Sequence, residues 1–201
     1  MSPKQPRAAK RASFESDIIA VASEEFGRRG FEGFSLRKVA QKMGCAVGTL
    51  YLYFDSKEDL LHAVVEASFR ALLESLRALP PANSAREMFR NAFRAYVEFG
   101  LKHPHHYRCA FAQPSPTPSA KYQPHAAFDL MREKVKAGVR AGVFQSNDAE
   151  VITQIIWASM HGLTSLLIAR PEFPWEPRNV LIDSLSDALL TGLFRAKPQS
   201  H

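Results

Sequence analysis

Three hydroxyl-bearing side chains follow one another closely in the run VGTLYLYF, residues 47–54. Thr49, Tyr51 and Tyr53 carry groups that suit phosphate oxygens and the edges of nucleic-acid bases. Gly48 has no side chain, so the backbone of a partner can approach it closely. The residue types and their spacing therefore favour contact with a nucleic acid.

A second set of reactive side chains lies in the run HPHHYRC, residues 103–109. Imidazole and thiolate groups bind zinc, and with Asp129 or Glu133 the set could form a hydrolytic site. The spacing matches no common zinc pattern, and no nucleophile elbow, phosphate loop or HExxH motif accompanies it. We therefore predict no cofactor and no enzyme, and keep a helical metal-binding protein or enzyme as the alternative. The residues of this alternative are His103, His105, His106 and Cys109.

Two short helices position the hydroxyl groups. Ser35 is a good N-cap for the first helix, and Gly44 ends it. Its apolar residues recur at a helical period: Leu36, Val39, Ala40 and Met43. After a short turn, a second helix is predicted over Val47–Phe54, with one side apolar through Val47, Leu50 and Phe54. This pattern predicts a helix-turn-helix, whose second helix can lie in the major groove of DNA.

The same run resembles the tetracycline-repressor (TetR) family of bacterial transcription regulators. The resemblance rests on LRKVAQKMGCAVGTLYLYFDSKEDL and on the upstream IIAVASEEFGRRGFEGFS. It covers about residues 14–65, and LYLYFDSKEDL is its most specific part. Two positions depart from the family pattern. Ala46 stands where the family usually has Ser, which removes an N-cap hydroxyl typically contributing ~1 kcal/mol, and Val47 stands where a polar residue is often found.

The resemblance implies roles for individual residues. At the start of the first of the two helices, Ser35, Arg37 and Lys38 are expected near the DNA backbone. Lys57, at the start of the next long helix, is expected to reach a phosphate. The residues expected to line the recognition helix are Val47, Gly48, Thr49, Tyr51 and Tyr53. Tyr51 is expected to contact a phosphate, and Val47 an apolar group such as a thymine methyl.

Composition supports a nucleic-acid partner and a reducing compartment. The chain has 201 residues, a formal net charge of +6 and a sequence pI near 9.5, a balance that favours polyanions. Its two cysteines, Cys45 and Cys109, are far apart and form no disulfide framework. The basic N-terminus lacks the apolar segment of a secretory signal, and no apolar run of transmembrane length is evident. We therefore expect a cytoplasmic protein without a membrane partner.

The remaining chain reads as helices throughout, so the predicted fold class is all-α with about nine helices. Earlier in the chain, a helix is predicted over Ser13–Arg29. Beyond the helix-turn-helix, the predicted helices run from Ser56 to Leu79, Ser84 to Lys102, about Arg108 to Ala112, Ala126 to Ala141, Asp148 to Ala169 and Arg178 to Arg195. A surface loop is predicted over Gln113–Pro124. We predict a disordered basic arm over 1–12, a DNA-binding domain over 13–57 and a ligand-binding and dimerisation domain over 58–201. The arm is either a solvated terminus or a tail that adds phosphate or minor-groove contacts.

Two of these helices supply candidates for a ligand pocket. An aromatic stripe marks the helix that ends at Lys102, and Trp157 and His161 share one face of the helix that ends at Ala169. The run WASMHG resembles a body-domain signature, W-x-x-x-H-G, found in part of the same family, although an aromatic core is an equal interpretation. The predicted lining is Phe69, Leu72, Phe89, Phe93, Tyr96, Trp157 and His161. Such a lining suits a small organic effector that is neutral or weakly anionic.

The last two predicted helices have more apolar surface than a single core can bury. Asp148–Ala169 is apolar nearly all round, so a second partner must cover one side of it. We predict a homodimer through this helix and the helix over Arg178–Arg195. Two recognition helices related by a two-fold axis would read a palindromic operator in double-stranded DNA. A ligand that binds better to one spacing of the two DNA-binding domains would release the operator, as in a repressor.

Overall fold

The computed structural model describes residues 7–111 and 126–195. Within these residues the chain forms nine helices and no strand, which confirms the all-α prediction. The helices are α1 (Arg7–Gly33), α2 (Leu36–Met43), α3 (Val47–Leu50), α4 (Lys57–Arg77), α5 (Ala85–Lys102), α6 (Pro104–Phe111), α7 (Ala126–Arg140), α8 (Ala149–Ala169) and α9 (Arg178–Leu193).

Several helix boundaries differ from the prediction by two residues or more. α1 begins at Arg7, so residues 7–12 are helical and not part of a disordered arm. The reason is composition, because Ala, Arg and Lys are strong helix formers. α6 begins at Pro104, since proline suits the first helical position. α3 ends at Leu50 because Leu52 N–H bonds to the Thr49 carbonyl, which tightens the next turn. Residues 1–6 of the predicted arm and the loop Gln113–Pro124 lie outside the described residues.

Several predicted helix ends are confirmed by their capping bonds. The side chain of Asp148 accepts hydrogen bonds from the backbone N–H groups of the first turn of α8 at 3.1 and 3.0 Å. Ser84 caps α5 in the same way, accepting from the N–H of Glu87 at 3.1 Å. Ser56 caps α4, where its hydroxyl accepts from the N–H of Asp59 at 3.0 Å. A side-chain cap satisfies one of the otherwise unpaired amides of a helix start.

The chain divides into two compact units. The first unit comprises residues 7–69 and 103–111 of the described chain, and so contains α1, α2, α3, the start of α4, and α6. Its apolar core is built around buried residues from each of these helices: Ile18, Phe26, Val39, Leu50, Leu61 and Cys109. α6 lies so close to α1 that a Cβ atom on Gly27 would stand 2.6 Å from the Cα atom of His105. The unit therefore includes a helix that is distant in sequence from the helix-turn-helix.

The second unit comprises residues 70–102 and 126–195, with α5, α7, α8 and α9. Three phenylalanines from different parts of the unit form a cluster. The ring centroid of Phe144 lies 5.5 Å from that of Phe89 and 4.9 Å from that of Phe194. An isolated antiparallel bridge between Phe144 and Phe194 holds the residues that follow α7 and α9 together. Hydrophobic burial of this kind is the main favourable term in folding, which makes this cluster a principal anchor of the unit.

A polar ladder also connects α5 to α9 within the second unit. Arg90 pairs with Asp187, and Arg94 with Asp183, four residues apart on each helix. On the third rung Arg86 donates to the hydroxyl of Thr191 at 3.4 Å. Residues four apart share a helix face, so the two helices run antiparallel with matched faces.

Candidate nucleic-acid interface

The helix-turn-helix is held by backbone geometry at its two ends. Ser35 has extended φ and ψ angles of −136° and 119°, and its carbonyl accepts from the N–H of Val39 at 3.1 Å, while its side chain makes no capping bond. Gly44 has φ 66° and ψ 29°, the left-handed conformation that other residues adopt at a cost. The N–H of Cys45 then bonds to the carbonyl of Ala40 at 3.0 Å. These bonds turn the chain sharply from α2 into α3.

One side of α3 is buried, and the other side faces solvent. Leu50 is fully buried, and Phe54 is buried just beyond the helix. On the outer side Gly48 is exposed and Thr49 is half-buried. Tyr51 is 51% exposed and Leu52 is 69% exposed. A helix with this arrangement can bury its apolar side in its own unit while it presents hydroxyl and backbone groups to a DNA groove.

Two of the predicted DNA-contacting residues lie at the edge of this surface. Val47 and Tyr53 are half-buried, and both pack against the core of the first unit. The ring of Tyr53 lies 5.4 Å from that of Phe14 in α1, centroid to centroid. Ala46 stands at the N-cap of α3 without a side-chain capping bond, as its residue type predicts. The position of α3 therefore depends on packing and backbone bonds more than on a cap.

The basic residues predicted to contact the backbone lie at two helix starts. Arg37 is exposed and Lys38 half-buried in the first turn of α2. Lys57 is the first residue of α4, and its ammonium group lies 5.7 Å from the centroid of the Phe34 ring. At this distance the ammonium group makes a cation–π contact with the ring.

An arginine that the sequence interpretation assigned to the disordered arm reaches the same region. Arg11 donates a hydrogen bond from Nη2 to the carbonyl of Leu52 at 3.0 Å. Its guanidinium carbon lies 5.2 Å from the centroid of the Tyr53 ring. The sequence offered Arg11 only as one basic residue of the N-terminal arm. Its specific position depends on α1 extending back to Arg7 and on a contact across 41 positions of sequence.

An ionic cluster holds α2 against α1. The ammonium group of Lys42 lies 3.4 Å from a carboxylate oxygen of Glu24 and 3.5 Å from one of Glu25. Arg29 pairs with Glu25 from the following turn of α1. The hydrogen bond and charge of Lys42 lower the pKa of the Glu24 carboxyl, with a smaller contribution from Arg28. Since Glu25 is buried, its two cationic partners offset the cost of removing a carboxylate from water.

In the second unit, three of the predicted ligand-contacting residues lie together. The hydroxyl of Tyr96 is 3.5 Å from Nδ1 of His161, and the ring centroid of Trp157 is 5.9 Å from that of His161. Ser165 and Phe128, which the sequence did not single out, complete the group: the Ser165 hydroxyl is 3.2 Å from Nε2 of His161, and the rings of Phe128 and Trp157 are in edge contact. Burial lowers the pKa of the His161 imidazole and so favours its neutral form.

The other predicted pocket residues are placed differently. Phe69 belongs to the first unit, where its ring packs edge-on against that of Phe111 at 5.0 Å. Phe89 belongs to the phenylalanine cluster of the second unit. Leu72 and Phe93 are buried in the second unit, each 2% exposed. The structure thus groups Tyr96, Trp157 and His161, places Phe69 in the other unit, and packs Phe89 into the phenylalanine cluster.

The histidines and cysteine of the alternative interpretation are not arranged as metal ligands. Cys109 faces Ser23, with Sγ 3.5 Å from its carbonyl oxygen, and burial raises the pKa of the thiol to about 12. The rings of His103 and His106 are in edge contact, and His106 lies 3.4 Å from the hydroxyl of Ser68. Among the residues that the structure describes, no three His, Cys, Asp or Glu side chains are grouped as a metal ion would require.

One described helix, α8, is long and apolar enough by length and composition alone to cross a membrane. Its buried residues, such as Ile152, Ile156 and Met160, belong to the core of the second unit. A core helix passes the same test of composition, so this finding is weak evidence for a membrane span.

Comparison with known proteins places this geometry in a known family. The profile of "Bacterial regulatory proteins, tetR family" matches residues 18–64. The profile "Tetracyclin repressor-like, C-terminal domain" matches residues 89–193, more than half of the chain. These two matches cover the helix-turn-helix and most of the second unit. The body signature W-x-x-x-H-G remains a resemblance in sequence only.

Individual relatives give the same result. The HTH-type transcriptional regulator YfiR of Bacillus subtilis, itself uncharacterized, is 34% identical over 79 residues, which span 39% of this chain and 37% of YfiR. A Rhodococcus sp. RHA1 protein of unknown function is 27% identical, with a TM-score of 0.76 over 90% of this chain and 95% of that one. A putative tetR family regulator from Shewanella sp. PV-4 shares the fold at 18% identity, with a TM-score of 0.73 over 90% and 98% of the two chains. The chain belongs to the TetR family of bacterial regulatory proteins.

Proposed function

We propose that this protein is a transcription regulator that binds a palindromic DNA operator as a homodimer and represses until a small molecule releases it. The observation that carries the proposal is the outer surface of α3 and the turn after it. Gly48, Thr49, Tyr51 and Leu52 are accessible there while Leu50 is buried, the distribution that a helix needs in order to enter a major groove.

Within this proposal the DNA-contacting residues divide into two classes. Thr49 and Val47 read base edges, because they lie on α3 itself. Tyr51 and Lys57 bind phosphates, and the same role is proposed for the residues that open α2 and for the end of the recognition surface: Ser35, Arg37, Lys38 and Tyr53. Gly48 allows the close approach of the DNA backbone. Functionally, we keep residues 13–57 as the DNA-binding domain and 58–201 as the ligand-binding and dimerisation domain.

An experiment that needs no known operator tests the DNA-binding proposal. The purified protein selects duplexes from a random-sequence pool, and the bound sequences are read. We expect two half-sites in a palindrome, about 10 base pairs apart from centre to centre or a multiple of that spacing. Thr49→Ala should change the preference at one or two base pairs by ~1–3 kcal/mol. Tyr51→Phe should weaken binding to all sequences alike.

Two results would reject the DNA-binding proposal or its assignments. If the wild-type protein enriches no duplex and binds none at low salt, DNA binding itself is wrong. If Tyr51→Phe changes the preferred base at one position, Tyr51 reads a base and not a phosphate. Lys57→Ala removes the second proposed phosphate contact. It should lower the slope of log K against log salt concentration by about one unit.

The homodimer is proposed from an apolar stripe on α8, called here the outer stripe. It consists of Val151, Ile155, Ala158, Gly162 and Leu166, at spacings of three and four residues. Three of its side chains remain at least 40% exposed: Val151, Ile155 and Leu166. Val180 of α9 is similarly exposed. A second copy of the chain would cover both helices. A stable interface of this kind buries upwards of ~1,000 Å² of accessible surface.

The effector site is proposed at the group of Tyr96, Trp157 and His161 in the second unit. The hydroxyl of Tyr96, the indole of Trp157 and the neutral imidazole of His161 place polar groups beside aromatic rings. This chemistry suits a neutral or weakly anionic organic molecule. Native mass spectrometry of the purified protein would detect a bound molecule of this class, and Trp157→Leu should reduce its occupancy.

We infer a cytoplasmic regulator that is not an enzyme and has no membrane partner. YfiR and the Shewanella protein are both described as transcription regulators, and this supports the inference for the present chain. The alternative of a metal-binding protein or enzyme has no group of ligands among the described histidines and cysteines. Metal analysis of the purified protein is the direct test, and stoichiometric zinc would favour that alternative.

A further inference from the structure

An open groove lies between the first turns of α1 and the turn that follows α3. Its volume is about 640 Å³, and its lining consists of Ala8, Lys10, Arg11, Phe14 and Tyr53. All five residues belong to the first unit, and the groove borders the exposed Tyr51 and Leu52 through their neighbour Tyr53. The groove therefore adjoins the proposed DNA-contacting surface, and is formed by a helix that is not part of the helix-turn-helix.

Arg11 is held in a fixed place at this groove although it is exposed. One N–H of its guanidinium donates to the carbonyl of Leu52, and the group lies over the ring of Tyr53. The ring of Phe14 packs against the ring of Tyr53 and keeps it in position. Ordering a free arginine side chain costs up to ~2 kcal/mol of conformational entropy. Since the fold has already ordered Arg11, a ligand would not have to meet that cost again.

The chemistry of the groove specifies an anion. Among the residues that the structure describes, its lining has two cationic side chains, Lys10 and Arg11, and no carboxylate. A guanidinium has five N–H donors in a planar fork, and one of those in Arg11 is used at Leu52. The remaining donors match the oxygens of a phosphate. A phosphodiester of DNA is the anion that the neighbouring recognition surface would bring to this place.

We propose that this groove is a further DNA-contacting site, in which Arg11 binds one backbone phosphate beside the recognition helix and Lys10 adds a second cation. The proposal rests on the proposed function, since it needs duplex DNA at α3. It adds a contact from α1, outside the helix-turn-helix. It also gives Arg11 two simultaneous partners, the recognition turn through Leu52 and the DNA strand through its free N–H groups.

The test measures salt dependence on a mixed-sequence duplex of about 30 base pairs, roughly three helical turns. Each phosphate contact contributes about 0.9 to the slope of log K against log salt. Arg11→Ala should therefore lower the slope by about one unit per protomer and weaken binding about tenfold. Arg11→Lys should keep the slope, because the charge remains. Arg28→Ala is the matched control: Arg28 is an exposed arginine of the same helix, away from the groove.

The outcomes separate this proposal from the proposed function. If wild-type protein binds the duplex and Tyr51→Phe weakens it, but Arg11→Ala leaves the slope unchanged, only the groove proposal fails. An equal loss of slope in Arg28→Ala would point to net charge and would also reject it. If Arg11→Ala changes base preference without changing the slope, Arg11 only braces the turn, and the phosphate contact is wrong. If wild-type protein binds no duplex, both proposals fail.

Discussion

The two units place their functional side chains in opposite environments. In the first unit the proposed DNA-contacting residues are exposed or half-buried and lie mostly within the seven-residue stretch 47–53. In the second unit the residues proposed for the effector are half-buried or buried, and come from helices far apart in sequence, such as Tyr96 in α5 and His161 in α8. The difference teaches that an exposed site can be encoded by a local motif, whereas an interior site depends on how distant helices pack.

The largest expected effect contrasts one aromatic side chain from each unit. Phe93 of the second unit is 2% exposed, and Tyr51 of the first is 51% exposed. Phe93→Ala should lower the free energy of unfolding by about 3–5 kcal/mol, since it removes a buried ring and leaves a cavity. Tyr51→Ala should change it by less than about 0.5 kcal/mol, yet weaken DNA binding about tenfold or more. Urea unfolding and DNA titration measure the two quantities.

One outcome would contradict the assignment of Tyr51 to an exposed binding site. A loss of stability in Tyr51→Ala as large as that in Phe93→Ala would mean that Tyr51 is a packing residue. The proposed division between an exposed site and an interior site would then no longer hold for the first unit.

The next effect concerns the one exposed surface of the second unit that we assign a function. Ile155→Glu places a charge in the outer stripe of α8, where two-fold symmetry would bring the charges of both copies into one apolar interface. An unpaired buried charge costs about 3–5 kcal/mol, so association should weaken by roughly a hundredfold or more. Sedimentation velocity measures the oligomeric state, and circular dichroism checks that the helices remain.

Lys134→Glu provides the control for this variant, because Lys134 is exposed on α7, outside the outer stripe. It should remain dimeric. Ile155→Glu protein that sediments as a dimer at the wild-type concentration dependence would contradict the proposed interface and direct attention to another face.

Much of this comparison was predictable from sequence, and the reasons for the misses are physical. The helix-turn-helix, the cap of α4 at Ser56 and the start of α8 after Asp148 follow from short-range signals, and the structure confirms them. Arg11 could not be assigned, because its partners are 41 and 42 positions away. Periodicity could not separate the inner faces of α4 and α5, so Phe69 and Phe89 were grouped with Tyr96, Trp157 and His161. In the structure Phe69 packs against Phe111 in the first unit, and Phe89 against Phe144 in the second.

A smaller effect compares one glycine from each unit. A Cβ on Gly27 of α1 would lie 2.6 Å from both the Cα and the Cβ of His105 in α6, so Gly27→Ala must push the two helices apart. Such overpacking costs about 1–3 kcal/mol, partly offset by the ~0.5–1 kcal/mol that alanine gains in a helix. The net expectation is a lower midpoint in urea. Gly192→Ala of α9 meets nothing within 4 Å and should be neutral or stabilising. Equal signs for the two variants would contradict the close contact of α1 and α6.

The smallest expected effect is a pH dependence of stability, and it again has one contributor in each unit. Burial lowers the pKa of His106 in the first unit, and the nearby charges of His103 and His105 lower it further. Burial alone lowers the pKa of His161 in the second. In the unfolded chain both imidazoles return to their usual pKa near 6.5. Below that value the unfolded chain binds protons that the folded protein resists, so the folded protein loses stability as the pH falls toward the folded pKa values.

We therefore expect the urea midpoint to fall between about pH 7.5 and 5.5, the range that brackets an ordinary histidine. His106→Gln and His161→Gln should each flatten this dependence, because neither glutamine takes up a proton. His62→Gln, at an exposed position of α4, controls for the loss of an imidazole as such. If His106→Gln keeps the full wild-type fall in urea midpoint, His106 does not contribute to the loss of stability at low pH.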